Sequence, residues 1–513
     1  MKNTTLYMMS SGLYALGYDH INIDEGWFVR HGNVSSGEAQ MIEDLDKFPS
    51  GMKGLGDWVK SNDFVYGLYS CRGTCQCSTS SYHADGSHGS EASDTAWMID
   101  AGARYLKIDS CCGSQDHATA FSDYAKFRDA MNASSPPDDP TWFSLCGWEE
   151  WYSPPDPSLN YSGGGSLGNS WRIAGDGSGW GPLSNCINQQ AASAVYAGPG
   201  SWPDPDLLIG PQVYVGGQSD EQARAQFTLW SIFPTNLLIS QNVLAWSDYA
   251  LETYSNAELI AINKDALMSP ARRIAGDDLK FPCDPSSGLA NVVAASCNAS
   301  DVSQQWDWAA AGGVFSPRLF PGGVLAATQC GTGASGSPVF VANSTSGGGC
   351  DTASRWSFDS DGTVKNAGSG MCLDIFNWAG PVVDIWICNG GSNQKFTYSS
   401  TTGLLKDTTG SQPAQDAKCL SAVQSTPSSC SNVWGRRLSD GYALAFVNNE
   451  GTQATVSCDT DCFAALNVSA STTSLKVRDL WTHADVGTIT APFSFSSLVN
   501  ASGAATAFKL TPT

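Results

Sequence analysis

Tyr105-Leu106-Lys107-Ile108-Asp109-Ser110-Cys111 is a short apolar run that ends by presenting a lysine, a carboxylate and a cysteine. Read as a strand, it places Lys107 and Asp109 two residues apart on one face. A cation beside a carboxylate keeps it ionised at mildly acid pH, which suits a nucleophile. An isolated Lys-x-Asp is more often a buried structural ion pair, so the surrounding segments have to decide.

Up to about residue 268 short apolar runs alternate with amphipathic ones. The strand candidates are 18–24, 65–70, 104–109, 142–146, 170–174, 194–197 and 237–240, and helix candidates include 4–16, 54–61, 93–101, 118–131 and 220–232. Alternation at this pitch implies a parallel sheet, closed as a TIM-like α/β barrel or left open. Conspicuous polar residues follow the strands: Asp24-Glu25, Tyr69, Asp109, Asp176 and Asp204/Asp206. In a barrel that end of the strands is the catalytic face. Seven strands rather than eight are legible, and the first is expected to be missing, because the chain opens on a helix pattern. Met1-Lys2-Asn3-Thr4-Thr5 also lacks the apolar core of a signal peptide. An N-terminally truncated chain accounts for both.

With 513 residues the chain is expected to hold two or three domains. A net charge of −22 argues against a nucleic-acid partner, and no apolar run is long enough for a membrane span. The 17 cysteines fall partly in short-range pairs, Cys372/Cys388, Cys419/Cys430 and Cys458/Cys462, which read as local disulfides of an oxidising compartment. With 6 histidines, none at zinc spacing, no metal site is expected. Sequons at Asn3, Asn33, Asn132, Asn160, Asn298, Asn343, Asn467 and Asn500 favour a eukaryotic secretory route.

From about 280 to 432 the texture turns to Gly, Ser, Thr, Asn and Cys. Gln304-Gln305-Trp306, Ser354-Arg355-Trp356 and Asn393-Gln394-Lys395-Phe396 repeat a theme, each after a cysteine pair (Cys283/Cys297, Cys330/Cys350, Cys372/Cys388). That periodicity suggests a threefold β architecture. Residues 433–513 alternate polar and apolar positions and read as an antiparallel β-sandwich.

Taken in order, Asn22-Ile23-Asp24-Glu25-Gly26-Trp27, Gly67-Leu68-Tyr69-Ser70, the Lys107–Cys111 run, Trp171-Arg172-Ile173-Ala174-Gly175-Asp176, Gly198-Pro199-Gly200-Ser201-Trp202-Pro203-Asp204-Pro205-Asp206 and Ala261-Ile262-Asn263-Lys264-Asp265 resemble the signature segments of glycoside hydrolase family 27. That family holds α-galactosidases, α-N-acetylgalactosaminidases and β-L-arabinopyranosidases. The resemblance implies a retaining exo-glycosidase with Asp109 as nucleophile and Asp176 as acid/base. It places sugar-binding roles on Asp24, Glu25, Tyr69, Lys107, Arg172 and Asp206. A retaining mechanism needs two carboxyl groups about 5–5.5 Å apart, with Asp176 protonated at the outset and Asp109 held anionic by Lys107. Trp148 and Trp202 are candidates to stack on the sugar ring, a structural role being equally open. No cofactor is implied, since both carboxylates act directly. The resemblance also implies galactose-containing glycans as partners, a secreted, vacuolar or lysosomal location, and a bridge from Cys111 to Cys75 or Cys77, while a homodimer stays an open option.

Glu25 departs from the usual second aspartate. The extra methylene pushes its carboxylate toward the sugar's C6 substituent and resembles the β-L-arabinopyranosidases, and a catalytically inactive carbohydrate-binding protein is the remaining alternative. Residues 281–432 resemble a ricin-type β-trefoil lectin, inserted into a sandwich formed by 269–280 and 433–513, after a catalytic barrel at 1–268. That likeness maps a lectin site to Asp374, Asp384, Trp386 and Asn393 in the third repeat, with one working site at most. Cys458/Cys462 matches a small disulfide loop of the family's sandwich.

Overall fold

The computed structural model describes residues 1–77, 84–114, 117–147, 164–211, 218–276, 278–279, 283, 288–327, 337–343, 352–375, 381–408, 417–424 and 430–513. The chain divides into two compact units. The first comprises Met1–Ala174, Gln189–Leu208 and Trp230–Ala271, and the second Gly175–Asn188, Ile209–Leu229 and Arg272–Thr513.

The first unit carries a six-stranded sheet in the order β1 (His20–Asn22), β2 (Val65–Cys71), β3 (Tyr105–Asp109), β4 (Trp142–Leu145), β5 (Ser170–Arg172) and β6 (Trp202–Asp204). Every pairing is parallel. The alternation read in the sequence is physical on β3. Leu106 and Ile108 are fully buried on one face, and each contributes about 1.5–3 kcal/mol by leaving water, while Lys107 and Asp109 keep partial access on the other. Helix Gly51–Lys60 covers the apolar side with Met52, Leu55 and Val59, a helical spacing, and ends on Lys60, whose charge suits the negative C-terminus. Helix Glu91–Asp100 starts with Glu91 and Asp94 in its first turn, where the helix dipole favours acids.

The expected strand at 194–197 is not one: Ala194–Tyr196 forms a 3₁₀ turn. Val195 and Tyr196 suit a strand by propensity, but local context overrides it: a tight turn follows, in which Gly198 and Ser201 exchange backbone hydrogen bonds around Gly200 at φ +83°. The sixth strand is Trp202–Asp204 instead. It tolerates Pro203 because only alternate residues bond to the neighbour: Trp202 N–H donates to Asn169 O at 2.9 Å and Asp204 O accepts from Ile173 N–H at 3.1 Å. The candidate at 237–240 contributes one parallel bridge, Leu208 to Ile239.

In the second unit a six-stranded antiparallel sheet runs in the order Ala484–Thr490, Ser474–Asp479, Ala504–Pro512, Gly441–Asn448, Ser431–Leu438 and Arg272–Gly276. The pair Ala454–Cys458/Phe495–Val499 adds to it, over a core of Val433, Leu444, Phe446, Leu475, Val477, Phe508 and Leu510. Arg272–Gly276 pairs directly with Ser431–Leu438, so the intervening chain leaves and returns at neighbouring strands, and Cys283–Cys430 ties its two ends. An excursion whose ends are already adjacent adds little loop-closure cost.

Among the described residues that excursion forms twelve strands over their own core, with Trp306, Phe315, Trp356, Leu373, Ile385, Phe396 and Leu420 at its centre. Three hairpins recur: Trp306–Ala309/Val314–Pro317, Trp356–Phe358/Val364–Asn366 and Phe396–Tyr398/Leu405–Asp407. Each passes a hydrogen bond to the next around a closed ring. Trp356 N–H donates to Gly313 O at 2.7 Å, Phe396 N–H to Gly362 O at 2.7 Å and Trp306 N–H to Gly403 O at 2.8 Å. The three glycines have φ of +64°, +91° and +77°, and a Cβ on Gly313 would stand 2.6 Å from Trp356 O, which explains glycine at these turns.

The cysteines correct two sequence expectations. Cys419 pairs with Cys297 rather than Cys430, and Cys283 pairs with Cys430 rather than Cys297. The first and last strands of the excursion are antiparallel neighbours with Ala295 opposite Cys419, which brings Cys297 beside it. Cys372–Cys388 and Cys458–Cys462 form as expected, whereas Cys330 and Cys350 lie outside the described residues.

Candidate active site and a second carboxylate cluster

Strands β1, β2, β3, β5 and β6 deliver polar side chains at or just beyond their C-terminal ends. Asp24 follows β1, Tyr69 is on β2, Lys107 and Asp109 are on β3, Arg172 ends β5, and Asp204 and Asp206 lie at and after the end of β6. Lys107 Nζ donates to Asp24 Oδ2 at 2.8 Å, crossing β2 above the Tyr69 ring, 5.2 Å from its centroid. The lysine thus pairs directly with Asp24, not with Asp109. Residues two apart on a strand stand about 6.6 Å apart along it, so sharing a face does not place them in contact. Burial works against the Lys107 ammonium, but Asp24, Cys146 and Asp109 outweigh it and hold its pKa well above the ordinary lysine value. Asp24 Oδ1 accepts from Glu25 N–H at 2.8 Å, and Glu25 is itself partly buried.

Donors that orient Asp109 include Tyr69 O–H to Oδ2 at 3.2 Å and Ser110 N–H to Oδ1 at 2.8 Å. Burial, then the charge of Asp109, pushes the Tyr69 pKa far up, so the phenol stays a donor. Tyr69 O in turn accepts from Trp27 Nε1–H at 3.0 Å.

Arg172, 4% exposed, sets Nη2 3.1 Å from Asp206 Oδ2, while the buried Asp204 accepts from Asp206 N–H at 2.9 Å. Asp206 adopts φ +90°, a conformation costly for a side-chain-bearing residue; its carbonyl accepts from Trp230 Nε1–H at 2.6 Å and its Oδ1 from Leu207 N–H at 2.7 Å. Trp202 is 7% exposed, which supports its structural alternative and leaves little ring for a sugar. Trp148 lies outside the described residues. Asp176 is exposed and belongs to the second unit. Beyond β3, Cys111 pairs with Cys77, one of its two expected partners, and Cys112 pairs with Cys75.

In the twelve-stranded segment Asp374 and Asp384 stand opposite each other on neighbouring strands, 4% and 1% exposed. Asn393 Nδ2 donates to both Asp374 oxygens at 3.0 Å, and Gln394 Nε2 donates to Oδ2 at 2.8 Å. Burial pushes Asp374 up to about 6 against those amides; burial and then the charge of Asp374 push Asp384 well above the carboxylate range. Trp386 on the same strand keeps partial exposure.

The sequence missed that this cluster has a counterpart built from both ends of the segment. Cys372 faces Trp386 two residues before Cys388, just as Cys419 faces Ala295 two residues before Cys297. By that register Ser421 replaces Asp374, Val293 replaces Asp384 and Ala295 replaces Trp386, and Ser303 bonds Ser421 at 2.7 Å where Asn393 holds Asp374. The counterpart has neither carboxylates nor an aromatic ring.

Burial holds both carboxyl groups protonated to higher pH in the folded chain than in the unfolded one, so their stabilising contribution is complete below the ordinary value of 3.8; that of Asp374 is lost as pH rises through about 6, and that of Asp384 is lost as pH rises well above the ordinary carboxylate range. Calorimetry is expected to show the segment's melting temperature falling from pH 4 to pH 7, and Asp384→Asn should flatten that fall.

The chain matches the family model for alpha galactosidase A over residues 1–265 and the model for the alpha galactosidase C-terminal beta sandwich domain over residues 428–508. Among curated proteins, the alpha-galactosidase of Cyamopsis tetragonoloba is 33% identical over 291 residues, covering 56% of this chain and 65% of that protein, so the chain spans just under two thirds of this relative's length. Among solved structures, the α-galactosidase of Saccharomyces cerevisiae, solved also with raffinose, superposes with a TM-score of 0.60 at 17% identity, over 100% of this chain and 93% of that one. The family 27 β-L-arabinopyranosidase of Geobacillus stearothermophilus, in complex with arabinose, gives 0.58 at 14% identity, again over 100% and 93%. These place the fold among TIM-like barrels followed by an antiparallel sandwich. The chain belongs to the alpha galactosidase A, or melibiase, family.

Proposed function

We propose that the chain is a retaining exo-glycosidase that releases terminal α-D-galactosyl residues from oligo- or polysaccharides or glycoconjugates by double displacement. The observation that carries this reading is the cluster at the C-terminal ends of neighbouring parallel strands, where Tyr69 and Ser110 orient Asp109, Lys107 pairs Asp24, and Arg172 pairs Asp206. Asp109 attacks the anomeric carbon, and Asp176 first protonates the leaving oxygen and then deprotonates water. Asp24, Lys107, Arg172 and Asp206 bind sugar hydroxyls with charge-assisted hydrogen bonds. Hydrolysis of 4-nitrophenyl α-galactoside, with the α-N-acetylgalactosaminide and β-L-arabinopyranoside run beside it, tests the assignment. A folded protein inert toward all three would refute it. Glu25 favours a second reading within the same chemistry, β-L-arabinopyranosidase.

Residues 1–268 form the catalytic barrel in this reading, 269–280 with 433–513 the sandwich, and 281–432 an inserted ricin-type β-trefoil. The ring of three hairpins supports the trefoil. Its third repeat would bind a galactose-type sugar through Asp374, Asp384, Asn393 and the ring of Trp386, and the serine pair at the counterpart position supports a single site. Trp386→Ala is expected to abolish retention on a galactan matrix while leaving aryl-galactoside turnover within about 2-fold; unchanged retention counts against a lectin role. Six disulfides among the described residues, and exposed sequon asparagines at 33, 132, 298, 467 and 500, support a secretory route. A mobility shift on deglycosylation of the chain from a eukaryotic host checks it.

A further inference from the structure

We propose that Arg72 is a positioning residue for Asp109, acting through the loop that follows β3. This rests on the reading of Asp109 as nucleophile. Arg72 is fully buried and directly follows β2, whose last residue, Cys71, faces Asp109 in register. Its backbone N–H donates to Asp109 O at 2.9 Å, so the two strand exits are tied at the reacting residue. The guanidinium then reaches beneath the loop. Nη2 donates to Ser114 O at 2.6 Å, and Nη1 lies 3.4 Å from Asp123 Oδ2 on helix His117–Ser134. Its Cζ lies over the Tyr124 ring, 5.4 Å from the centroid, and Tyr124 O–H donates to Cys146 O at 2.9 Å, just past β4.

Residues 110–114 are thus held from below by one cation and from the side by Cys77–Cys111 and Cys75–Cys112. The fit is close: a Cβ on Gly113 would stand 2.7 Å from Nη1, and Cys112 takes φ +54°. Because Ser110 N–H donates to the Asp109 carboxylate, a shift of this loop moves a donor that orients the carboxylate. Asp123, 4% exposed, is the buried counter-charge that lets a guanidinium sit there, and Lys126 at 2.9 Å screens its other oxygen. A guanidinium presents a planar fork to Ser114 and Asp123 together, and a lysine ammonium cannot reproduce it.

Arg72→Lys in the full chain is expected to retain the wild-type circular dichroism spectrum and KM for 4-nitrophenyl α-galactoside. Its kcat should fall about 10- to 100-fold, the loss that a misplacement of order 1 Å brings. The acid limb of its kcat/KM profile should move, and labelling of Asp109 by a 2-fluoro-galactosyl fluoride should slow by the same factor as kcat. A folded Arg72→Lys with wild-type kcat, labelling rate and pH profile overturns the proposal and leaves Arg72 a core residue only. If Arg72→Lys does not fold, Asp123→Asn carries the test: a lower kcat at unchanged KM supports positioning, and an unchanged kcat overturns it. Failure of the nucleophile reading shows separately, as turnover retained in Asp109→Asn or a label found on another residue.

Discussion

Asp109→Asn is expected to lower kcat on 4-nitrophenyl α-galactoside by about 10⁴-fold or more, because in the proposed mechanism it removes the group that forms the covalent bond rather than one that orients it. The carboxamide keeps the shape of the carboxylate, so folding and sugar binding should survive. Ser110 N–H still finds an oxygen, while the contact with Tyr69 O–H changes, because the phenol can accept from the new amide only by turning its proton away. In the proposed reading substrate affinity rests on Asp24, Lys107, Arg172 and Asp206, which are held in pairs of their own, Lys107 with Asp24 and Arg172 with Asp206. Isothermal titration with galactose should therefore give an affinity near that of the unmodified chain. Retention of more than about 1% of turnover would sink the assignment of Asp109.

How much of this was legible beforehand depends on whether the determining interaction is local. Strand β3 could be read because its alternation is written in five consecutive residues, and helix Asp220–Ile232 has the predicted bounds. The partner of Lys107 could not be read, because the carboxylate it bonds is 83 residues away and arrives just after β1. Pro203 hid a strand whose hydrogen-bond pattern does not use the missing donor. In the twelve-stranded segment, short sequence spacing predicted the cysteine pair 372/388 correctly and the pairs 283/297 and 419/430 wrongly. Where first and last strands are neighbours, the ends of the segment complete one another's repeat. Arg72 carried no motif at all; its signal is burial of a cation beneath the loop after Asp109.

Glu25→Asp is expected to raise the ratio of kcat/KM for α-galactoside over β-L-arabinopyranoside by about 10- to 200-fold, the range one methylene commands in a sugar- or side-chain-sized pocket. The two sugars differ by the hydroxymethyl group at C6, so discrimination falls to whatever occupies that space. Glu25 N–H already anchors Asp24 at 2.8 Å, and Asp24 is fixed to Lys107. The backbone of the acidic pair is therefore held, and shortening the side chain withdraws the carboxylate without moving the residues around it. Tyr69, beneath the pair, registers the charge of Glu25 as well as that of Asp24, which places Glu25 near the same phenol that orients Asp109. The gain should come as a lower KM for the galactoside with little change in kcat, since relief of a steric clash in the bound ground state does not alter the nucleophile. Competition between the two aryl glycosides in one reaction gives the ratio directly. A ratio that stays within about 2-fold shows that Glu25 does not face C6, and the preference must then be set by other residues of the pocket.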